Sequence, residues 1–322
     1  MSNNLYESVK EIWIAENCED LSSRWSSELK NAIKLSENLP KFHQWNPLRV
    51  YTTLSGSRKA KPIFSLRYRG QEVANIIGDK EIKIDITPKC ETNTLKHFEL
   101  TTKAGRFSWK GQEAKAFRQK FKDYDKTNSK EKMKSDEAWL QSIVFEKMNT
   151  TADGGYHACK PVLFDRFPFQ CPIPISGCTG IPKKKKGNID ILARRGHGNT
   201  HPAIWELKSP KQCKAAFEQV YIYGVVFALM LRHKGGKDWY ENMGFAGNLI
   251  PSKSINIDII VMLTKDRENE LMSHLEKFSS PLKLVDENIT LKPFVAYYEW
   301  DKVKGTVNID EPINLSEIMT KK

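Results

Sequence analysis

The chain contains no apolar run approaching the roughly 20 consecutive residues that cross a bilayer, which argues against a helical membrane protein. Its opening residues, MSNNLYESVKEIW, lack the cationic stretch and apolar core of a secretion signal. Cysteine is scarce, with 6 in 322 residues, too few for a disulfide-stapled scaffold. Acid is in deficit too: 39 Asp and Glu stand against 51 Lys and Arg, a net charge of +12. No internal repeat and no extended low-complexity tract interrupts the chain. These absences point to a reduced, intracellular, cytoplasmic protein, and the excess positive charge suits a polyanionic partner. A merely soluble basic protein is the plainer alternative. What is present is 39% hydrophobic residues, with 8 Trp and 15 Phe, ample for real cores.

Length suggests two domains. Residues 4–37 carry helical periodicity, with Leu5, Val9, Ile12 and Trp13 on one stripe and Trp25, Leu29 and Ile33 on another. From Leu48 to about Leu100 the chain reads as short strands: LRVYTTL, PIFSLRYRG, EVANIIG, EIKIDI and HFELTT. A helix follows over Gln112 to Tyr124. The polar segment DYDKTNSKEKMKS reads as a linker, so the division is an α+β domain over 1–125, a linker over 126–134 and a second domain over 135–322. The second domain reads as a helix from Ser135, a strand (HACKPVLFD), an irregular Pro/Cys-rich stretch over Pro168–Pro182 and the lysine run Lys183–Lys186. Two strands, a long helix over Lys211–Leu231, a strand over Ile255–Thr264, a helix over Asp266–Phe278 and a strand over Phe294–Trp300 complete it. That order predicts an α/β fold with a central mixed sheet flanked by helices.

The richest stretch is GNIDILARRGHGNTHPAIWELKSP, Gly187–Pro210. Asp190 sits within one apolar run, and a second ends in Glu206-Leu207-Lys208. Acids seldom occupy buried strands unless paired or metal-bound. A hairpin would bring Asp190 beside Glu206, and residues two apart on a strand share a face, which adds Lys208. Two carboxylates and an amine would meet at a sheet edge open to solvent, equipment for metal-assisted phosphodiester hydrolysis. The competing reading is a structural salt-bridge cluster, though isolated buried ion pairs seldom repay their desolvation. The Glu-x-Lys triplet alone means little, since it also occurs at Glu28/Lys30, Glu81/Lys83 and Glu113/Lys115. Only the fourth follows an apolar run, has an acid in the preceding strand and leads into a helix.

On these residues the second half resembles the PD-(D/E)XK nuclease superfamily, the restriction-endonuclease-like fold, over roughly Ser135–Trp300. Asp190 matches the first acid, with Asn188-Ile189 in place of the usual proline, and Glu206-Leu207-Lys208 matches the second motif. Gln219 and Tyr223, on one face of the following helix, resemble the Gln-x-x-x-Tyr signature of RecB-type and lambda-exonuclease-like nucleases. ELKSP, with an EAWLQSIV helix upstream, is also similar to Shedu-type antiphage nucleases.

The resemblance implies a Mg²⁺-dependent DNA endonuclease, Mn²⁺ substituting, in restriction or antiphage defence. Asp190, Glu206 and the Leu207 carbonyl would hold the metal. Lys208 would orient the attacking water and stabilise charge on the phosphate. Glu137 in the first helix would complete the site, with Glu146 in reserve. Gln219 would steady a metal-site water or a phosphate, supported by Tyr223.

Lys183, Lys184, Lys185, Lys186, Arg194 and Arg195 are candidates for gripping phosphates, with a solvated charge run as the alternative. In the first half, Lys59, Lys61, Arg67 and Arg69 could face nucleic acid, although no named nucleic-acid-binding signature is found there. The spacing of His157, Cys159, Cys171 and Cys178 matches no standard zinc pattern. No cysteine follows Cys213, which argues against an iron–sulfur cluster. A nucleic-acid-binding or assembly protein whose nuclease fold does not cut is the rival function, and RNA is a less favoured substrate than DNA. A homo-oligomer is left open.

Overall fold

The structure, a computed structural model, describes residues 2–39, 45–78, 81–127, 136–150, 159–196, 201–208, 215–245, 254–265, 277–301 and 304–320. It is mixed α/β, with eight helices among those residues. None is long and apolar enough to cross a membrane.

The chain opens with two helices, α1 (Ser2–Ala15) and α2 (Cys18–Glu37), separated at Asn17 with φ 47°. Asn is among the few residues that tolerate this left-handed geometry. A five-stranded antiparallel meander follows: β1 (Arg49–Leu54), β2 (Pro62–Tyr68), β3 (Gln71–Ile77), β4 (Lys83–Ile86) and β5 (Gly105–Ser108). HFELTT is not a strand. His97 and Phe98 end α3 (Pro88–Phe98), which Thr87 caps by accepting from Cys90 N, with Pro88 at the first helical position. Helix α4 (Gln112–Thr127) closes this layer around Val50, Leu66, Tyr68, Phe98, Phe117 and Phe121.

Helix α5 (Asp136–Thr150) begins the second half. The strands are β6 (Cys159–Pro161), β7 (Leu163–Phe164), β8 (Phe167–Pro168), β9 (Pro172–Ser176), β10 (Lys183–Asn188), β11 (Ile191–Arg195) and β12 (His201–Leu207). Then come α6 (Ala216–Arg232), α7 (Gly236–Asn242), β13 (Ile255–Thr264), β14 (Leu282–Leu284), β15 (Ile289–Asp301), β16 (Thr306–Ile309), β17 (Ile313–Asn314) and α8 (Leu315–Thr320). The large sheet runs β14-β15-β13-β12-β11-β6, with β16 and β17 also on β15. β12, β13 and β15 are parallel, while β11 is antiparallel to both its neighbours, so the sheet is mixed as predicted. Helix α6 is the crossover that a parallel β12–β13 pair requires. The Pro-rich stretch holds β9, which pairs with β10 in a separate two-stranded sheet. Most of the predicted helix over Asp266–Phe278 lies outside the described residues.

Strand alternation divides the large sheet between two cores. Ile204, Ile259 and Val261 face α6, while Trp205, Ile260 and Met262 face α5. The first core also takes in Val9 and Trp13 of α1 and Trp25 and Leu29 of α2. The apolar clusters therefore do not follow a boundary at 126–134: the two opening helices pack with the second half. Of that linker, residues 126–127 end α4 and 128–134 lie outside the described residues.

Candidate active site

The β11–β12 hairpin pairs Ile191 with Trp205, so the next position outward sets Asp190 opposite Glu206. Asp190 lies not inside a strand but at the bend between β10 and β11. Its Oδ2 accepts from Leu207 N at 3.0 Å, and its own carbonyl accepts from Gln141 Nε2 of α5 at 2.6 Å. Glu206 shares the parity of Ile204, which turns it toward α6; Lys208 follows the same parity. Lys208 N donates to Met262 O at 3.2 Å, and Tyr298 OH donates to Lys208 O at 3.0 Å, which fixes the strand end from the β13–β15 side. Lys208 Nζ lies 2.6 Å from Glu206 Oε1 and 3.5 Å from Glu137 Oε1. The three motif residues thus meet. They do so at the end of a central strand, not at a sheet edge, because β13 covers the other side of β12.

A cavity of about 590 Å³ opens over them, lined also by Glu137, Gln219 and Tyr223. Gln219 Nε2 donates to Tyr223 OH at 2.9 Å, and that hydroxyl lies 3.5 Å from Cys178 Sγ. Glu206 is 0% exposed; Lys208 Nζ meets its Oε1, and no further donor reaches the carboxylate. The amide oxygen of Gln219 is likewise buried without a donor.

Burial, then the charge of Asp190, pushes the Glu206 carboxyl well above its ordinary range. Burial raises Asp190 to about 6, partly offset by Lys208. Desolvation alone would lower Lys208, but Glu206, Asp190 and Glu137 together raise it, so it remains an ammonium. Burial, reinforced by Glu206, raises the Tyr223 hydroxyl. Burial also pushes the Cys178 thiol up, but hydrogen bonds with Ser176 and Tyr223 and the charge of Lys208 outweigh it, leaving the thiol below its usual value.

Among the described residues no group of three His, Cys, Asp or Glu side chains is gathered to enclose a metal ion. The cavity offers two carboxylates, with Glu137 turned to Lys208; Leu207 is fully buried and does not line it, its N–H being held by Asp190. Such a set suits Mg²⁺, which takes hard oxygen ligands, keeps several waters and seldom uses an all-protein cage. Glu206 Oε2, buried without a donor, fits that role. The cysteines give no zinc site among the described residues, where Cys159 and Cys171 are buried and free; His157 and Cys213 lie outside them.

The basic candidates separate. Lys183, Lys185 and Lys186 line the cavity. Lys184, on the opposite face of β10, is ion-paired with Glu16. Lys186 donates to Leu54 O. Arg194 and Arg195 lie in β11 itself, not in the hairpin connection, and Arg195 is roughly 16 Å along the strand from Asp190. Arg195 pairs with Asp258 at 2.8 Å, and Arg194 donates to Gly244 O at 3.2 Å. Glu146 pairs with Arg49 at 2.6 Å and does not line the cavity.

Sequence spacing did not reveal one wall. Gln170 and Asn188 line the cavity, and both are held from the front sheet. Arg67 Nη2 donates to Gln170 Oε1 at 2.6 Å, Gln170 N donates to Thr52 O at 2.8 Å, and Thr53 Oγ1 donates to Asn188 Oδ1 at 3.4 Å. These partners are separated by over 100 residues, so no local pattern marks them. Arg67 and Arg69 serve this join instead of an outer face. Arg67 lies over the Tyr51 ring at 4.5 Å, and Arg69, paired with Asp125 at 3.4 Å, lies over the Trp139 ring of α5 at 5.5 Å.

No family model matches the chain, and neither a curated protein nor a solved structure matches it.

Proposed function

We propose that this protein is a Mg²⁺-dependent DNA endonuclease built on a restriction-endonuclease-like core. The observation that carries the reading is Glu206. It is fully buried with no donor other than Lys208, yet it borders an open cavity beside Asp190 and several lysines. A structural ion pair has no use for an acid so poorly satisfied. Helix α5, strands β6, β11 and β12, helix α6 and strand β13 occur in the order that the resemblance implies.

Asp190 and Glu206 would hold the metal, which when bound polarises the phosphate and acidifies its water. Hydrolysis forms a bond from the water oxygen to phosphorus and breaks the bond to one sugar oxygen, which leaves with a proton. Lys208 is protonated and so acts as a charge stabiliser and orienting donor, not as the base. Glu137 sets its position from α5. Gln219 offers its undonated carbonyl to a water at the cavity wall, with Tyr223 fixing the amide. Lys183 and Lys185 supply positive potential where the strand would enter. Restriction or antiphage defence is the setting that the ELKSP resemblance favours.

A plasmid-nicking assay in Mg²⁺ or Mn²⁺ tests this reading. Wild type should cut, and folded Asp190→Ala and Lys208→Ala should not. Cutting by either variant at the wild-type rate refutes the site. Salt-sensitive binding by a wild type that never cuts favours the non-cleaving alternative, and faster cutting of RNA in competition reassigns the substrate.

A further inference from the structure

We propose that the turn between β1 and β2, together with α2, forms a second phosphate-binding surface that grips nucleic acid flanking the catalytic cavity. The proposal rests on the nuclease reading for the identity of its polyanion. A cavity of about 570 Å³ separates α2 from this turn, lined by Arg24, Arg58, Lys59 and Lys61. Arg58, Lys59 and Lys61 are exposed and form no ion pair among the described residues. The acid in the lining, Glu28, accepts from Asn31 Nδ2 at 3.0 Å. Arg24 meets Asp20 at 3.3 Å, but its Nε is buried without an acceptor.

The turn is held in place. Ser55 N donates to Lys61 O at 2.8 Å, Ala60 N donates to Ser57 O at 2.9 Å, and the fully buried Trp25 donates from Nε1 to Ser55 O at 2.8 Å. Three like charges crowded onto an anchored turn repel one another, a cost that a bound polyanion relieves. Arg67 and Arg69, consumed in the join to the second half, take no part.

The same turn meets the catalytic cavity through Lys186. Lys186, in that cavity's lining, donates to Leu54 O, and a Cβ at Gly56 would stand 3.3 Å from Lys186 Cδ. Two sets of cations therefore flank one hairpin end. A small anion would engage one set; a chain of phosphates can engage both, which is why the occupant is the nucleic-acid backbone.

The test uses the full-length protein with Arg58→Gln, Lys59→Gln and Lys61→Gln combined, and a labelled 30-base-pair duplex in EDTA over stepped KCl. Circular dichroism reports folding, and the three single variants serve if the triple variant misfolds. We expect at least a tenfold loss of affinity at 100 mM KCl and a salt slope shallower by about 2 to 3, since each phosphate contact contributes about 0.9. An unchanged slope in a folded variant overturns the surface, as does competition by millimolar inorganic phosphate at this turn with no loss of duplex binding. An unchanged slope with Mg²⁺-dependent cutting by wild type leaves the nuclease reading standing. A lost slope in a protein that never cuts leaves the surface standing and removes that reading.

Discussion

Strands β11 and β12 carry a buried charge cluster at each end, and the two ends are built differently. At the far end, Asp258 of β13 receives Arg195 at 2.8 Å and lies 2.9 Å from His201 Nε2. The Arg195 guanidinium also lies 4.2 Å from the Phe294 ring centroid and donates to Pro312 O at 3.5 Å. That acid is 4% exposed, and two side chains converge on its Oδ2. At the near end, Glu206 is as deeply buried, but Lys208 is its single ionic partner and a cavity stands open above. One sheet thus contains a structural ion pair and a cluster left with spare acceptor capacity. Counting the donors on each buried acid separates them where charge and burial alone do not.

Removing the acid at each end should therefore have opposite effects on stability. Asp258→Ala strands Arg195 and should cost about 3–5 kcal/mol in urea unfolding. Glu206→Gln replaces a carboxyl that burial already pushes toward its neutral form, and Asp190 and Glu137 still face Lys208, so it should be neutral or stabilising. A large loss in Glu206→Gln would make the near end structural after all.

The cations should divide in the same way in their effect on cutting. Lys208→Met should lower the cleavage rate by about 10²–10³-fold, the scale for losing one transition-state donor. Arg195→Met should leave the rate per folded molecule unchanged. Equal losses in both would erase the contrast.

A smaller effect concerns pH. Asp190 is raised from 3.8 to about 6, so folding takes up a proton between those values. The stability of the metal-free protein should fall as pH rises through that window, because there the folded state binds more protons than the unfolded chain. Mg²⁺ must displace those protons, so its stabilisation should grow from pH 5 to 7. Melting temperatures with and without Mg²⁺ across that range check both signs; a Mg²⁺ effect independent of pH contradicts them.

The mildest contrast is among thiols. Burial raises Cys18 to about 11 and Cys159 to about 12, whereas Cys178 is exposed, lowered and inside the cavity. Among these three, iodoacetamide should modify Cys178 first by peptide mass spectrometry, and Mg²⁺-dependent cutting should fall with modification. Prior labelling of Cys159 would show the cavity closed.

How much was legible follows from where the information lies. Alternation and hairpin logic are local, so the convergence of Asp190, Glu206 and Lys208 could be read from the chain. Strand β13 matches its apolar run residue for residue. The i, i+4 pair Gln219/Tyr223 reached the same cavity by helical spacing. Strand β9 was hidden because Pro172 and Pro174 suggest irregular chain, yet proline is tolerated in this isolated two-stranded pair. HFELTT was misread because its apolar residues suit a strand, while the Thr87-Pro88 start commits the preceding segment to a helix. The wall from β1 and the packing of α1 and α2 against α6 depend on contacts between distant segments, which no window of sequence contains.

The most direct test of a divalent-cation site at the open end of the sheet is an electron paramagnetic resonance titration of Mn²⁺ into wild type and Glu206→Gln at pH 7.5. Wild type should bind saturably at that site and the variant should not, with the fold retained. Equal Mn²⁺ uptake by the two proteins, or none by wild type, would contradict it.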